Sequence, residues 1–139
     1  MSITSLAHAC IKTTDLGKIS KFYCDTLGMK KQFNFTKKGK VIGFYMQASK
    51  NSFVEVFETN NPPPADSNSC LSHFCLETDS IEEMRQRLVD AGYHPGPVKM
   101  GADNSYQFWI KDPNGMDMEF HQYTPESSQT TGKDVEVDW

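Results

Sequence analysis

The sequence has no long apolar run, no strong excess of either charge and no closely paired cysteines. No apolar segment approaches the roughly 20 residues of a membrane-spanning helix, and residues 1–9 lack the basic and then apolar pattern of a signal peptide. The net charge of −4 gives no support for a nucleic-acid or anionic-membrane partner. These absences predict a cytoplasmic protein with neither kind of partner.

The four cysteines, Cys10, Cys24, Cys70 and Cys75, form no CxxC motif. Without an export signal, they are interpreted as free thiols in a reducing compartment. Two disulfides remain the alternative.

The sequence does contain enough aromatic and aliphatic residues for a single domain with its own core. It has 139 residues, of which 37% are hydrophobic and 12% aromatic. We predict one domain over 1–123, made of a first module over 5–58, a connector over 59–69 and a second module over 70–123. The polar, acidic residues 124–139 are predicted to form a flexible tail, with docking as an edge strand as the alternative.

Each module contains the same predicted order of elements: a strand, a helix and three further strands. In module one, Asp15 caps the helix and Gly28 ends it; the strands cover 5–13, 31–36, 41–47 and 52–58. In module two, Asp79 or Ser80 caps the helix and Gly92 ends it; the strands cover 71–77, 97–99, 106–111 and 116–123. The pattern therefore predicts an α+β fold with two βαβββ modules, related by a pseudo-twofold in a curved mixed β-sheet cup.

Chemically useful residues recur at one offset between the modules. His8 and His73 are 65 residues apart, and Glu55 and Glu119 are 64 apart. Two modules related by a pseudo-twofold would bring these four side chains toward a common axis. Imidazole and carboxylate donors suit a borderline divalent ion that keeps open positions for water or substrate. An unpaired carboxylate among apolar strand residues is costly, and a bound cation would remove that cost.

Segments in both modules resemble the vicinal oxygen chelate superfamily, which includes glyoxalase I, methylmalonyl-CoA epimerase, extradiol dioxygenases and bleomycin-resistance proteins. The first runs from His8 to Leu16 and on through Lys21-Phe22-Tyr23-Cys24-Asp25-Thr26-Leu27-Gly28-Met29. The second comprises Ser72-His73-Phe74-Cys75-Leu76 and Asp112-Pro113-Asn114-Gly115-Met116-Asp117-Met118-Glu119-Phe120. This resemblance covers approximately residues 5–123.

The resemblance implies metal ligands at His8, Glu55, His73 and Glu119. Glyoxalase I has Glu at the fourth-strand position, as here at Glu55, whereas methylmalonyl-CoA epimerase of the same superfamily usually has Gln. The implied activity is that of a metal-dependent lyase or isomerase of the glyoxalase I type. It would shift a proton through a metal-stabilised enediolate on a small 2-oxoaldehyde–thiol adduct. Glu119 is the preferred base, and Glu55 is its symmetry mate.

The resemblance also bears on the substrate and the metal. Lys12 stands where glyoxalase I usually has the Arg that grips a glutathione carboxylate, and Lys99 lies in a loop that resembles the family's loop before the seventh strand. Both are candidate substrate-binding residues. The ion could be Zn, Ni, Co, Mn or Fe, with glutathione or another thiol as cosubstrate. His121, two residues after Glu119, is interpreted as a group beside the pocket.

Three alternatives stay open at this point: an epimerase, an iron-dependent dioxygenase, and a non-enzymatic small-molecule-binding or resistance protein. We also expect a homodimer. The eleven-residue connector with three consecutive prolines can span roughly 30 Å. His8 and Glu55 of one chain would then meet His73 and Glu119 of the other.

Overall fold

The computed structural model describes residues 6–61 and 73–137. The chain divides into two compact units, Met1–Ala65 and Asp66–Trp139, which carry modules one and two. Most of the predicted connector and Cys70 lie outside the described residues. Within the described ranges, no helix has both the length and the apolar character needed to cross a membrane.

Module one contains four strands and one irregular helix. The strands are β1 (His8–Thr13), β2 (Lys30–Lys37), β3 (Lys40–Ser49) and β4 (Ser52–Glu58). They form one sheet in the order β1-β4-β3-β2, in which β1 and β4 are parallel and the other pairs antiparallel. Helix α1 (Leu16–Ser20) continues as a π-helix over Lys21–Thr26.

Module two repeats this arrangement. Its strands are β5 (Phe74–Glu77), β6 (Lys99–Met100), β7 (Tyr106–Lys111) and β8 (Asp117–Gln122), in the order β5-β8-β7-β6. The β5–β8 pair is parallel, and the helix α2 covers Ile81–Asp90. Two βαβββ modules are therefore present, as predicted. The strand predicted near 97–99 lies slightly later, at Lys99–Met100.

The helix boundaries follow local chemistry. The Asp15 side chain accepts a hydrogen bond from the Lys18 amide at 3.0 Å, which caps α1. Gly28 and Gly92 adopt positive φ values of 78° and 86° where the helices end, as predicted. The start of α2 differs from expectation, because the Ser80 side chain makes no capping bond. The Ile81 amide instead donates to the Gln122 side chain on β8, at 2.8 Å.

In both modules one face of the sheet is apolar and the other carries the candidate site. Val54, Val56, Phe44 and Met46 are buried in module one, as are Ile19 and Phe22 on the helix. In module two, Phe108, Met118 and Phe120 are buried together with Leu88 of α2. Because side chains alternate along a strand, Glu55 and Glu119 point to the opposite face of their sheets.

The segment after β8 is more ordered at its start than predicted. Ser127 is fully buried, and its hydroxyl donates to the Asn104 carbonyl at 2.9 Å. A short helix, α3 (Ser128–Thr131), follows, and the Gln129 amide donates to the Asp103 carboxylate at 2.7 Å. Small hydroxyl and amide side chains hold this segment because they satisfy polar groups of the 103–105 loop. Residues 132–137 contain no strand, and their flexibility stays a prediction.

Candidate metal and catalytic site

In module one, the structure brings two of the predicted ligands together. The parallel register aligns Cys10 with Glu55, so His8, two residues before Cys10, lies on the same face as Glu55. His8 Nε2 lies 3.4 Å from Glu55 Oε2. The Tyr45 hydroxyl lies 3.2 Å from His8 Nδ1, the other ring nitrogen. This contact orients the imidazole with Nε2 toward the glutamate.

The equivalent pair in module two is also in contact. Cys75 is aligned with Glu119 between β5 and β8, and His73 immediately precedes β5. His73 Nε2 lies 3.6 Å from Glu119 Oε2. The His73 ring also meets the edge of Trp109, with 4.7 Å between ring centroids. The repeated offset in the sequence thus corresponds to a repeated His–Glu contact.

Glu119 has a second neighbour in His121. Glu119 Oε1 lies 2.8 Å from His121 Nε2, and the two side chains are 10% and 11% exposed. His121 Nε2 also lies 3.3 Å from the Gln107 side-chain oxygen, and His121 Nδ1 lies 3.9 Å from Asp103 Oδ2. His121 was expected near the pocket, because it shares the face of Glu119.

Asp103 and Gln107 are residues that sequence reasoning missed. Gln107 and Trp109 are two residues apart on β7 and therefore lie on the same face of the sheet as Glu119. This alternation is a signal that could have identified Gln107. Asp103 lies in a loop without regular periodicity, so no pattern pointed to it. Burial acts against its ionisation, but hydrogen bonds from Gln129 and Ser105 outweigh that effect and lower the pKa of Asp103.

A cysteine lies beside each glutamate in the strand register. Cys10 and Cys75 are both exposed free thiols, because they lie on the site face and not on the apolar face of each sheet. Partial withdrawal from water, together with the charges of Glu119 and Asp103, raises the pKa of Cys75 to about 12. Partial burial and the charge of Glu55 likewise raise the pKa of Cys10. Both thiols therefore stay protonated at neutral pH in the absence of a cation.

One of the two candidate substrate-binding lysines shares a strand with a site residue, and the other lies on a strand paired with one that carries Gln107. Lys12 lies on β1, four residues after His8, and is aligned with Phe57 of β4. Lys99 lies on β6 and is aligned with Gln107 of β7. Both are exposed. Their role in binding substrate stays a prediction.

Aromatic rings surround Glu55 on the site face of module one. Tyr45 is aligned with Glu55, and Phe33 is aligned with Tyr45. Tyr45 stacks on Phe33 with 4.9 Å between centroids and on Phe53 with 5.0 Å. Phe33 is 49% exposed. The face thus offers flat apolar surface beside a carboxylate.

Comparison with known proteins places this architecture in one family. Residues 5–120 match the Glyoxalase/Bleomycin resistance protein/Dioxygenase superfamily. A probable lactoylglutathione lyase from Synechocystis sp. is 28% identical over 125 residues, which cover 84% of this chain and 94% of that protein.

Solved structures share the fold. A glyoxalase family protein from Enterococcus faecalis matches with a TM-score of 0.74 and 20% identity, over 87% of this chain and 99% of its own. An antibiotic-binding protein from Streptomyces sp. matches with a TM-score of 0.72 and 17% identity, over 89% and 99%. With its two βαβββ modules and a match over most of its length, the chain belongs to the Glyoxalase/Bleomycin resistance protein/Dioxygenase superfamily.

Proposed function

We propose that this protein is a metal-dependent lyase or isomerase of the glyoxalase I type. The observation that carries the proposal is the repeated His–Glu contact, at 3.4 Å in module one and 3.6 Å in module two. The similarity to a probable lactoylglutathione lyase supports the same reaction class. The substrate would be a small 2-oxoaldehyde–thiol adduct, with glutathione or another thiol as its cosubstrate.

The donors present fit a divalent cation. His8, Glu55, His73 and Glu119 supply two imidazole nitrogens and two carboxylates, a set that suits Zn, Ni, Co, Mn or Fe. The separations within each pair are close to those of neighbouring ligands around an ion with bonds of about 2.1 Å. When bound, the ion would polarise the substrate oxygens and stabilise the negative charge that develops on them.

Glu119 would act as the general base. It would remove the proton from the carbon next to the substrate carbonyl and return it to the neighbouring carbon. Its low exposure keeps water from competing for that proton, and the His121 contact fixes the orientation of its carboxylate. Glu55 is the candidate for the same role on the opposite face of the substrate. Lys12 and Lys99 would pair with substrate carboxylates.

We further propose that the protein works in the cytoplasm as a homodimer. In each site, His8 and Glu55 of one chain would bind the same ion as His73 and Glu119 of the other. The length of the proline-containing connector supports this arrangement, because it allows the two modules of one chain to lie side by side.

Metal depletion tests the proposed function. Isomerisation of methylglyoxal hemithioacetals should disappear when the protein is stripped with a chelator and return when a divalent ion is added. His8→Ala and His73→Ala should each lose this activity and the ion that the His–Glu pairs hold, because each removes one nitrogen ligand. Full activity in both variants, or in the stripped protein, would contradict the proposal.

A binding function without catalysis is the second candidate, and the stacked rings of Phe33, Tyr45 and Phe53 favour it. Such a protein would hold a flat, apolar small molecule against these rings. Calorimetry with planar aromatic compounds separates the two functions. Tight binding that survives metal removal, in a chain inactive toward every hemithioacetal tried, would favour the binding protein.

A further inference from the structure

Glu119 presents its two oxygens to two different histidines. Oε2 lies 3.6 Å from His73 Nε2, whereas Oε1 lies 2.8 Å from His121 Nε2. The proposed function uses the first of these contacts as a pair of metal ligands. The two oxygens of a carboxylate can also serve two neighbouring cations, as they do in two-metal sites. The second contact therefore defines a place where another ion could bind.

That contact belongs to a compact group of three donors. One ligand atom from each of Cys75, Glu119 and His121 lies within 4.8 Å of the other two. The strand register explains the grouping, because Cys75 is aligned with Glu119 and His121 follows Glu119 by two residues on the same face. Thiolate, imidazole and carboxylate are the three ligand types that zinc takes in proteins.

The burial of these donors differs in a way that suits a metal site. As whole residues, Glu119 and His121 are only 8% and 9% exposed, so they are held away from bulk water. Cys75 is exposed, so an ion can reach the group from solvent. A buried carboxylate and imidazole beside an open thiol form a shielded site with an entry path.

The surroundings of His121 match those of a metal-ligating histidine. Such residues almost always direct the second ring nitrogen to a carboxylate, a carbonyl or water. Here Nδ1 of His121 lies 3.9 Å from Asp103 Oδ2, an ion-pair distance longer than a hydrogen bond, whereas Nε2 lies 2.8 Å from Glu119 Oε1 and 3.3 Å from the Gln107 side-chain oxygen. Asp103 is fixed by the Ser105 amide at 3.2 Å and by Gln129 of α3 at 2.7 Å. With its proton on Nδ1, beside Asp103, the ring would leave Nε2 available to a cation.

Module one provides an internal comparison. Cys10 is aligned with Glu55 as Cys75 is with Glu119, but the residue two positions after Glu55 is Phe57. The third donor is therefore missing from the equivalent place. The three-donor group is a property of module two and does not follow from the repeat itself.

We propose that Cys75, His121 and Oε1 of Glu119 form a second divalent-metal site, selective for zinc-class ions such as Zn²⁺ and Co²⁺. The site shares only Glu119 with the proposed catalytic site and requires neither His8 nor Glu55 nor His73, so its metal binding can be tested separately from the proposed function. Cysteine binds metals as the thiolate, and the thiol proton of Cys75 is released to solvent when the ion enters. Asp103 acts on the ion only through His121.

Titration of the metal-free, full-length protein with Co²⁺ tests this site. Thiolate-bound Co²⁺ has an intense near-ultraviolet charge-transfer absorption that sites built from nitrogen and oxygen ligands lack. We expect this absorption to saturate at one thiolate-bound ion per chain and to disappear when Zn²⁺ displaces the Co²⁺. Cys75→Ser should remove it. Asp103→Asn should keep it but weaken binding by ~10-fold or more, the scale for the loss of an orienting partner.

Cys10→Ser is the matched control, because it removes the thiol at the equivalent position of module one. Cys24→Ser and Cys70→Ser complete the set, and all three should keep the absorption. His8→Ala should also keep it while losing the ion of the proposed catalytic site. Failure of this proposal is thus distinguishable from failure of the proposed function. Circular dichroism establishes that each variant is folded.

Three results would overturn the second site. The first is the absence of thiolate absorption at saturating Co²⁺ in the unsubstituted protein. The second is absorption that survives Cys75→Ser in a folded variant. The third is absorption that disappears in Cys10→Ser and so assigns the thiolate to module one.

Discussion

Glu55 and Glu119 occupy equivalent positions, but their surroundings give them different chemistry. The Glu55 side chain is 18% exposed and its partner His8 is 44% exposed. Glu119 is 10% exposed and contacts His73 and His121 with separate oxygens. A base benefits from the shielded, oriented environment. These contacts favour Glu119 over Glu55 for proton transfer.

The sequence pointed to the residues of the two His–Glu contacts better than to their neighbours. His8, Glu55, His73 and Glu119 were found because each recurs at nearly one offset, and a strand fixes the face on which a side chain lies. Asp103 lies 18 residues from His121 in the sequence and reaches it only through the folding of a loop. Periodicity carries no information about such a contact.

The raised pKa of Cys75 predicts slow alkylation. Because the thiolate is the reactive form, a pKa of about 12 leaves very little of it near pH 8. We expect iodoacetamide to modify Cys75 of the chelator-treated, folded protein at least ~10-fold more slowly than an ordinary cysteine. The rate should keep rising with pH beyond the range where ordinary thiols level off. Peptide mass spectrometry measures the modification site by site.

The same residue in urea-unfolded protein is the control for this rate, since unfolding removes both the burial and the neighbouring charges. Glu119→Gln should speed the reaction in the folded protein, because one nearby negative charge is lost. Equal alkylation rates for Cys75 in the folded and unfolded chains would show that burial and neighbouring charges do not raise the pKa of this thiol.

At the scale of elements, alternation along the strands predicted the sheets well. β4 has the predicted bounds, and β2 and β3 extend one or two residues further at each end, because backbone pairing continues past the apolar pattern. The helix start at Ile81 was only partly predicted, because its cap comes from Gln122, 41 residues away. Local sequence predicts local caps and misses those that another element supplies.

Close approach of β3 and β4 makes Gly43 a sensitive position. A Cβ there would clash with the Val56 carbonyl oxygen and lie 2.8 Å from Cδ1 of Phe57. Gly43→Ala should therefore lower the free energy of unfolding by about 1–3 kcal/mol, the range for overpacking a fitted site. Thermal or urea unfolding followed by circular dichroism measures the change.

Ala48→Ser on the exposed end of β3 is a suitable control for Gly43→Ala, because it alters the same strand without adding an atom where Gly43 packs against β4. Its effect should stay within about 0.5 kcal/mol. Unchanged stability of Gly43→Ala would mean that the two strands are further apart than described.

At the scale of the whole molecule, the internal repeat is the feature from which the fold and the site both follow. It predicted two modules with the same order of elements, and their sheets have matching strand orders, β1-β4-β3-β2 and β5-β8-β7-β6. It also predicted matching His–Glu contacts. The repeat did not predict the asymmetry between the modules. Aromatic rings surround Glu55, whereas His121, Gln107 and Asp103 cluster near Glu119. A repeat predicts what its copies share and says nothing about how they differ.

Subunit mixing tests the proposed homodimer. His8→Ala and Glu119→Gln should each be inactive alone. If sites form between chains, a mixed dimer has both lesions in one site and none in the other. Activity should then return to about a quarter of the unsubstituted level in a random equimolar mixture, in which roughly half of the dimers are mixed.

Isotope-labelled subunits and native mass spectrometry must first show that the chains exchange. A mixture of His8→Ala with His8→Ala carrying a different label is the control and should stay inactive. Proven exchange without recovered activity would mean that each chain builds its own site.

The turnover of Glu119→Gln on methylglyoxal hemithioacetals at saturating metal shows whether Glu119 transfers a proton at a metal-dependent site. The variant keeps the size of the side chain and removes the base. We expect kcat to fall by at least ~100-fold, while circular dichroism shows an intact fold. Turnover within a few-fold of the unsubstituted protein would contradict this role of Glu119.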